Sequence, residues 1–446
     1  MTCAMPGAIL LRHPDVRGVP VETAEVREAG GDWRRTAWAD LARHTVAPGD
    51  VEVRIEVQSG PIRIPVCAGR GRVTVDGHAV SAPPGPVVVP AGAGAHEVVV
   101  HLRVSGYERR VACGEPVRTG AAITTTEGLG ELGFASPYAA HGGGRAVVFV
   151  PEGHDASHPS PVLVGLHPWN GTPWTYAAYA ELLDEARARD VVLLLPSGLG
   201  NSLYTADAED EAMQALGALG EVVAVDRARV SLWGASMGGA GATTIGLHHP
   251  DRFASITSFF GDSEYDLSTY VRGILHDERG AHAVNALDVV DNARHVSVWL
   301  VHGEDDRVSP IRQSERLADA LARRSFAVSF ARAPREGHSG ALVARFVAAV
   351  VDRAATLSVP PAPARVTYRS VRPIDTGAYG VHVARASASD DAFVDVERRA
   401  DGVHVLRADG VTGVALDAGA LGYDAAAAPP VFNDTGHALD ARRNPR

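Results

Sequence analysis

Residues 229–247 read RVSLWGASMGGAGATTIGL, and this stretch decides the fold. RVSLW is a mostly apolar run of strand character, and MGGAGATTIGL is a small-residue run of helical character. Between them, Gly234-Ala235-Ser236-Met237-Gly238 fits the pattern G-x-S-x-G. A strand that turns at once into a helix strains the backbone of the serine at the corner. Glycines two residues to either side relieve the crowding. The turn lifts the hydroxyl clear of the sheet's C-terminal edge and leaves a helix N-terminus behind it. Ser236 is therefore the candidate nucleophile.

A serine hydroxyl is a weak nucleophile at neutral pH. It needs a base to take its proton and a carboxylate to fix the base's tautomer. After a serine on such an elbow the chain order is acid, then histidine. The strand-like run VSVWLVHG is followed by EDDRVSP, which puts carboxylates at a strand's C-terminal end. Asp306 stands at the H-G-x-x-D spacing from His302, so it is the expected acid, with Glu304 and Asp305 as solvated loop residues. Beyond Asp306 the only histidines are His338, His382, His404 and His437, and the last three lie in a terminal β-rich region. His338, in REGHSG between a strand-like and a helical run, is the expected base.

Charge developing on a carbonyl oxygen needs two backbone N–H donors. One is expected from Met237, next to the serine. The other is expected from the loop His167-Pro168-Trp169-Asn170-Gly171, which follows the strand-like run PVLVGLH. Pro168 has no N–H, which makes Trp169 the first choice and Asn170 the second. Trp169 and Trp174 are also candidate walls of a substrate pocket. The glycine string His141-Gly142-Gly143-Gly144 precedes the first central strand and reads as a turn.

Outward from this core, residues 145–357 alternate near-continuous apolar strands with amphipathic helices, the pattern of a mostly parallel sheet covered on both faces. Residues 1–120 carry short period-two segments such as VEVRIEVQ and HEVVVHLRV separated by Gly/Pro turns, which suggest a sandwich-like all-β module. Residues 121–144 read as a connector and 358–366 as a proline-rich linker. Residues 367–446 return to period-two strands as a second β module. An insertion between Phe260 and Val296 reads as a lid over the site. Its Asp262, Glu264, His276, Asp277 and His282 have no metal-ligand spacing and are expected on solvated helix faces.

Composition narrows the chemistry. The 446 residues suffice for two or three domains, and 46% of them are hydrophobic, enough for a sizeable core. The net charge of −11 argues against nucleic-acid or anionic-membrane partners. All 42 basic residues are arginine, which removes Schiff-base, phosphate-loop-lysine and Ser–Lys chemistry. With only Cys3, Cys67 and Cys113 and no CxxC, neither structural zinc nor dithiol redox chemistry is expected. Cys67 and Cys113, both in strand-like segments, either pair or remain two buried thiols. No apolar run is long enough to span a membrane, the N-terminus makes a poor signal peptide, and no metal or cofactor is expected.

The strings LVGLHP, VDRARVSLWGASMGG, NALDVVDNARHVSVWLVHGEDDRVSP and EGHSG together resemble the prolyl-oligopeptidase-like and polyhydroxybutyrate-depolymerase-like esterase branches of the α/β hydrolases. The resemblance covers roughly residues 145–355. It implies an α/β-hydrolase domain flanked by all-β modules. It also implies a Ser236–His338–Asp306 triad acting on a small or polymeric carboxylic ester. Pro168 departs from the glycine usual after the histidine of that loop. The tail VTYRSVRPIDTGAYGVHVARA resembles the β module of some secreted bacterial members, and only this points to a secreted or periplasmic protein. Two other functions stay open: a peptidase with the same machinery, and a non-catalytic polymer-binding protein.

Overall fold

The structure is a computed structural model. It describes residues 121–136, 143–265, 281–387, 389–423 and 429–443, and strand-bearing pieces of residues 7–104. Cys3, Cys67, Cys113, His276 and Asp277 lie outside the described residues.

The centre is a nine-stranded sheet. In chain order its strands are β1 (Ala122–Ile123), β2 (Gly128–Ala135), β3 (Gly143–Val150), β4 (Ser160–Leu166), β5 (Val192–Pro196), β6 (Val225–Ala235), β7 (Ser255–Phe259), β8 (Ser297–Gly303) and β9 (Val328–Ala333). Their spatial order is β1-β2-β3-β5-β4-β6-β7-β8-β9. The first three pair antiparallel, as does β3 with β5, and every later pair is parallel. The α/β class expected from the sequence is thus met by a mixed, mostly parallel sheet.

Apolar side chains go to both faces, which is why the strands read as unbroken runs. In β4, Val162 and Val164 join one core cluster and Leu163 the other; in β5, Val192 and Leu194 part from Leu193 and Leu195 in the same way. One face is covered by α3 (Asp207–Val222), α4 (Met237–His248) and α5 (Arg312–Arg323), and the other by α1 (Trp174–Ala177), α2 (Ala180–Ala188) and α6 (Gly340–Thr356). Among the described residues, no helix is long and apolar enough to cross a membrane.

The stretch 121–144, read as a connector, supplies β1, β2 and the start of β3 to the central sheet. Leu132 and Phe134 of β2 enter the core. Two of the glycines in this stretch are needed for close approach: a Cβ on Gly130 of β2 would lie 2.3 Å from the Thr125 side chain, and one on Gly144 of β3 2.3 Å from the Phe134 ring.

Upstream, residues 23–104 hold a six-stranded antiparallel sheet with Ala93–Val104 and Gly49–Ser59 at its centre. Downstream, two four-stranded sheets enclose a core of Val366, Tyr368, Val381, Val394, Val403 and Val414. Contacts do not thin out at the proline-rich stretch. Buried Arg372 forms ion pairs with Glu209 of α3 and with Asp375. Asp375 also pairs with buried His248 at the end of α4 at 2.9 Å. Burial opposes ionisation of Glu209, but hydrogen bonds from His249 and Arg372 prevail and bring its pKa down to about 2.

Candidate active site

The chain leaves β4 for β5 on one side and then crosses to β6 on the other, so a crevice opens at the C-terminal ends of β4 and β6. Ser236 ends this crossing. Its φ is 56° and ψ −119°, a conformation a non-glycine residue adopts only when its surroundings impose it. The imposition is visible in the backbone. Ser236 N–H donates to Phe259 O at 2.9 Å, and Ala240 N–H donates to Ser236 O at 2.9 Å. A Cβ on Gly238 would stand 1.7 Å from Leu166 O, and one on Gly234 2.4 Å from the Gly238 carbonyl. Only glycine lets β4 lie this close to the elbow. Met237 is the first residue of α4, so its N–H is among those a helix leaves without an intrahelical partner.

Asp306 is buried, whereas Glu304 and Asp305 beside it are exposed. Its Oδ1 accepts from Val308 N–H at 2.8 Å and Ser309 N–H at 2.9 Å; its Oδ2 lies 2.7 Å from His338 Nδ1. A carboxylate only accepts, so the proton of His338 belongs on Nδ1 and Nε2 is left as acceptor. Burial pushes the Asp306 pKa up, but hydrogen bonds from His302, His338 and the Val308 amide outweigh it and hold the group well below the usual carboxylate range. The Phe260 ring packs 4.3 Å from that of His338.

Ser236 and His338 line one cavity of about 480 Å³. Pro168 and Trp169 border it from the loop after β4, and Thr175, Tyr176 and Tyr179 from the helices that follow. Ala235, Phe260, Val308, Gly340 and Val343 complete the wall. The loop is a tight turn in which Gly171 N–H donates to Pro168 O at 2.8 Å and Asn170 takes φ 60°. Asn170 N–H is committed to Asn201 Oδ1 at 2.7 Å, and Asn201 Nδ2 returns a bond to Asn170 Oδ1 at 2.8 Å. His167 N–H donates to Tyr204 Oη at 2.8 Å.

Two sequence expectations need correction. Trp174 does not line this cavity and is 47% exposed. It opens α1 two positions before Tyr176, and residues two apart on a helix face different ways. Asp262 is buried rather than solvated and accepts from Ser309 Oγ at 2.6 Å. It thereby braces the turn whose amides hold Asp306.

Other contributors had no signal in the sequence. Tyr176 Oη donates to Leu166 O at 3.0 Å and accepts from Ala235 N–H at 2.9 Å, joining the ends of β4 and β6 just before the loop and the elbow. Glu211 is fully buried under the 197–204 loop and accepts from Ser197 Oγ and Gly198 N–H; burial outweighs these bonds and raises its pKa to about 7. Among the described residues, no cluster of three or more His, Cys, Asp or Glu side chains is arranged to hold a metal ion.

Residues 201–354 match the model of the prolyl oligopeptidase family. The matched span holds Ser236, Asp306 and His338 and leaves Trp169 outside. The resemblance to α/β-hydrolase serine hydrolases read from the sequence therefore stands. No curated protein matches the chain. Among solved structures, it is similar to an S-formylglutathione hydrolase from Agrobacterium tumefaciens, with 20% identity, a TM-score of 0.46, and coverage of 54% of this chain and 100% of that one. It is also similar to a fluorophosphonate-binding serine hydrolase of Staphylococcus aureus, with 18% identity, a TM-score of 0.45, and coverage of 53% and 99%. A thermostable esterase is a third, with 14% identity, a TM-score of 0.41, and coverage of 70% and 97%.

Proposed function

We propose that this serine hydrolase cleaves carboxylic esters through an acyl-enzyme. The observation that carries the reading is the 2.7 Å contact of His338 with Asp306 at a cavity that Ser236 also lines. Ser236 Oγ attacks the ester carbonyl carbon while His338 Nε2 takes its proton. The tetrahedral oxyanion is met by the N–H groups of Met237 and Trp169. Collapse of that intermediate breaks the bond to the alcohol, which leaves with the proton from His338. Water then attacks the acyl-enzyme, His338 takes and returns a second proton, and the carboxylic acid departs. Asp306 keeps His338 in the productive tautomer and balances its transient charge. We assign Trp169, with Tyr176 and Tyr179, to the substrate wall in place of Trp174. The upstream and downstream sheets, read as sandwich-like modules, supply no reacting group.

The family match favours a second reading, a peptidase with the same machinery. Against it, the described cavity wall contains neither a carboxylate nor a guanidinium to hold a peptide terminus. Turnover of matched p-nitrophenyl esters and p-nitroanilides separates the two. Ester turnover that is lost in Ser236→Ala, with slow or no anilide turnover, supports the esterase. Faster anilide turnover refutes it.

A further inference from the structure

The chemistry of the cavity wall bears on what the proposed nucleophile acylates with. Four aromatic rings border it, from Trp169, Tyr176, Tyr179 and Phe260, with Val308 and Val343 beside them. Two of its hydroxyls serve the chain itself. Thr175 Oγ1 accepts from Thr172 N–H at 2.8 Å, and Tyr176 Oη bridges Leu166 and Ala235. Apart from His338, the described wall holds no Asp, Glu, Arg or His side chain. A charged group entering here would lose water without gaining a partner, which is costly. A flat apolar ring would instead bury its surface against other rings in offset or edge-on contact.

The cavity also has a direction. Tyr176, Ala235, Phe260 and Val343 are buried and form its floor, while Val308 is 53% exposed at its mouth. Val308 adjoins Asp306, and hence the His338 side of the site. The alcohol takes its proton from His338 and must leave to water, so it departs past Val308. The acyl group stays bonded to Ser236 and packs along the ring-lined wall that runs from Tyr176 and Phe260 out to Tyr179 and Gly340. At the rim, Gly340 opens α6 opposite Tyr179: a Cβ built there would lie 3.2 Å from Tyr179 Oη. Any larger side chain at Gly340 narrows the space between α2 and α6.

We infer that the site selects esters of uncharged, ring-bearing carboxylic acids, and that Gly340 sets the room for the ring. This rests on the esterase reading above. The test compares kcat/KM of the full chain for p-nitrophenyl phenylacetate, p-nitrophenyl acetate and the p-nitrophenyl monoester of succinic acid. The phenylacetyl ester is expected to exceed both others by at least about tenfold, the discrimination a hydrophobic pocket gives. Gly340→Val is expected to cut the phenylacetyl-to-acetyl ratio by about tenfold, and Gly340→Ala by less in the same direction. The alanine variant decides the matter if the valine variant fails to fold. Equal rates for the three esters, a preference for the succinyl ester, or a ratio unmoved in the folded Gly340 variants would overturn the inference. If Ser236→Ala still abolishes turnover in those cases, the esterase reading survives. Turnover that persists in Ser236→Ala refutes that reading instead.

Discussion

Asp306→Asn is the most informative single substitution. In the structure, Oδ1 accepts two backbone amides and Oδ2 faces His338 Nδ1 at 2.7 Å. Asparagine can keep the amide bonds with its Oδ1, which places its NH₂ group against His338 Nδ1. That nitrogen must then accept, so the proton moves to Nε2 and the acceptor for the Ser236 proton is lost. The expected fall in kcat is about 10⁴-fold, or about 5 kcal/mol of transition-state stabilisation. Shape and the amide bonds persist, so the variant should fold and bind ester with a KM within a few-fold of the parent. Asp305 is exposed, and Asp305→Asn should leave kcat within about a factor of two, as expected for a surface change. Steady-state kinetics on one aryl ester, with circular dichroism on each variant, decides it. A folded Asp306→Asn enzyme within tenfold of the parent, or an Asp305→Asn enzyme that is the more damaged, would refute the assignment.

Asn201→Ala removes the partner of the Asn170 amide and frees the turn that aims Trp169; kcat should fall about tenfold with KM little changed, and an equal loss in KM alone would contradict this. Truncation after Leu357 strips Arg372 from Glu209 and Asp375 from His248 and removes the chain packed over them, leaving Glu209, among the described residues, with His249 alone. The truncated chain should therefore melt well below the parent; a truncated chain melting at the parent's temperature would contradict it. Glu211 has its pKa raised by burial to about 7, so its contribution to stability is full below the ordinary carboxylate pKa and is lost as pH rises through about 7. Glu211→Gln should therefore flatten the decline in stability between about pH 5 and 8 in urea titrations, and an unchanged slope would count against it. Glu209, held down at about 2, works in the opposite sense: its contribution is present above the ordinary carboxylate pKa and fades as pH falls toward 2. Acid unfolding should therefore be less steep in Glu209→Gln than in the parent.

The elbow was legible because it is local. Strand, glycines, serine and helix follow one another within nineteen residues (229–247), and steric rules alone give their geometry. Asp306 was reachable through its register from His302, and His338 by subtraction of the histidines in the terminal β-rich region. Most of the cavity wall was not legible, because Tyr176, Phe260 and Gly340 follow three different strands, β4, β7 and β9, and meet only in the folded sheet. Trp174 was drawn in by its chemistry, yet the start of α1 turns it outward. The strand Gly128–Ala135 hid behind glycines that read as a linker, although Gly130 is there for close packing against Thr125. The ion pairs of Arg372 were equally invisible. The pair with Glu209 joins residues 163 positions apart across a proline-rich stretch that looks like a boundary.

The central claim is that Ser236 is the nucleophile. Treating the folded chain with a fluorophosphonate, digesting it and sequencing the labelled peptide by mass spectrometry tests this directly. The account predicts one adduct, on Ser236, that disappears in Ser236→Ala and is much slower to form in His338→Ala. An adduct on any other residue, or undiminished labelling of folded Ser236→Ala, would contradict it.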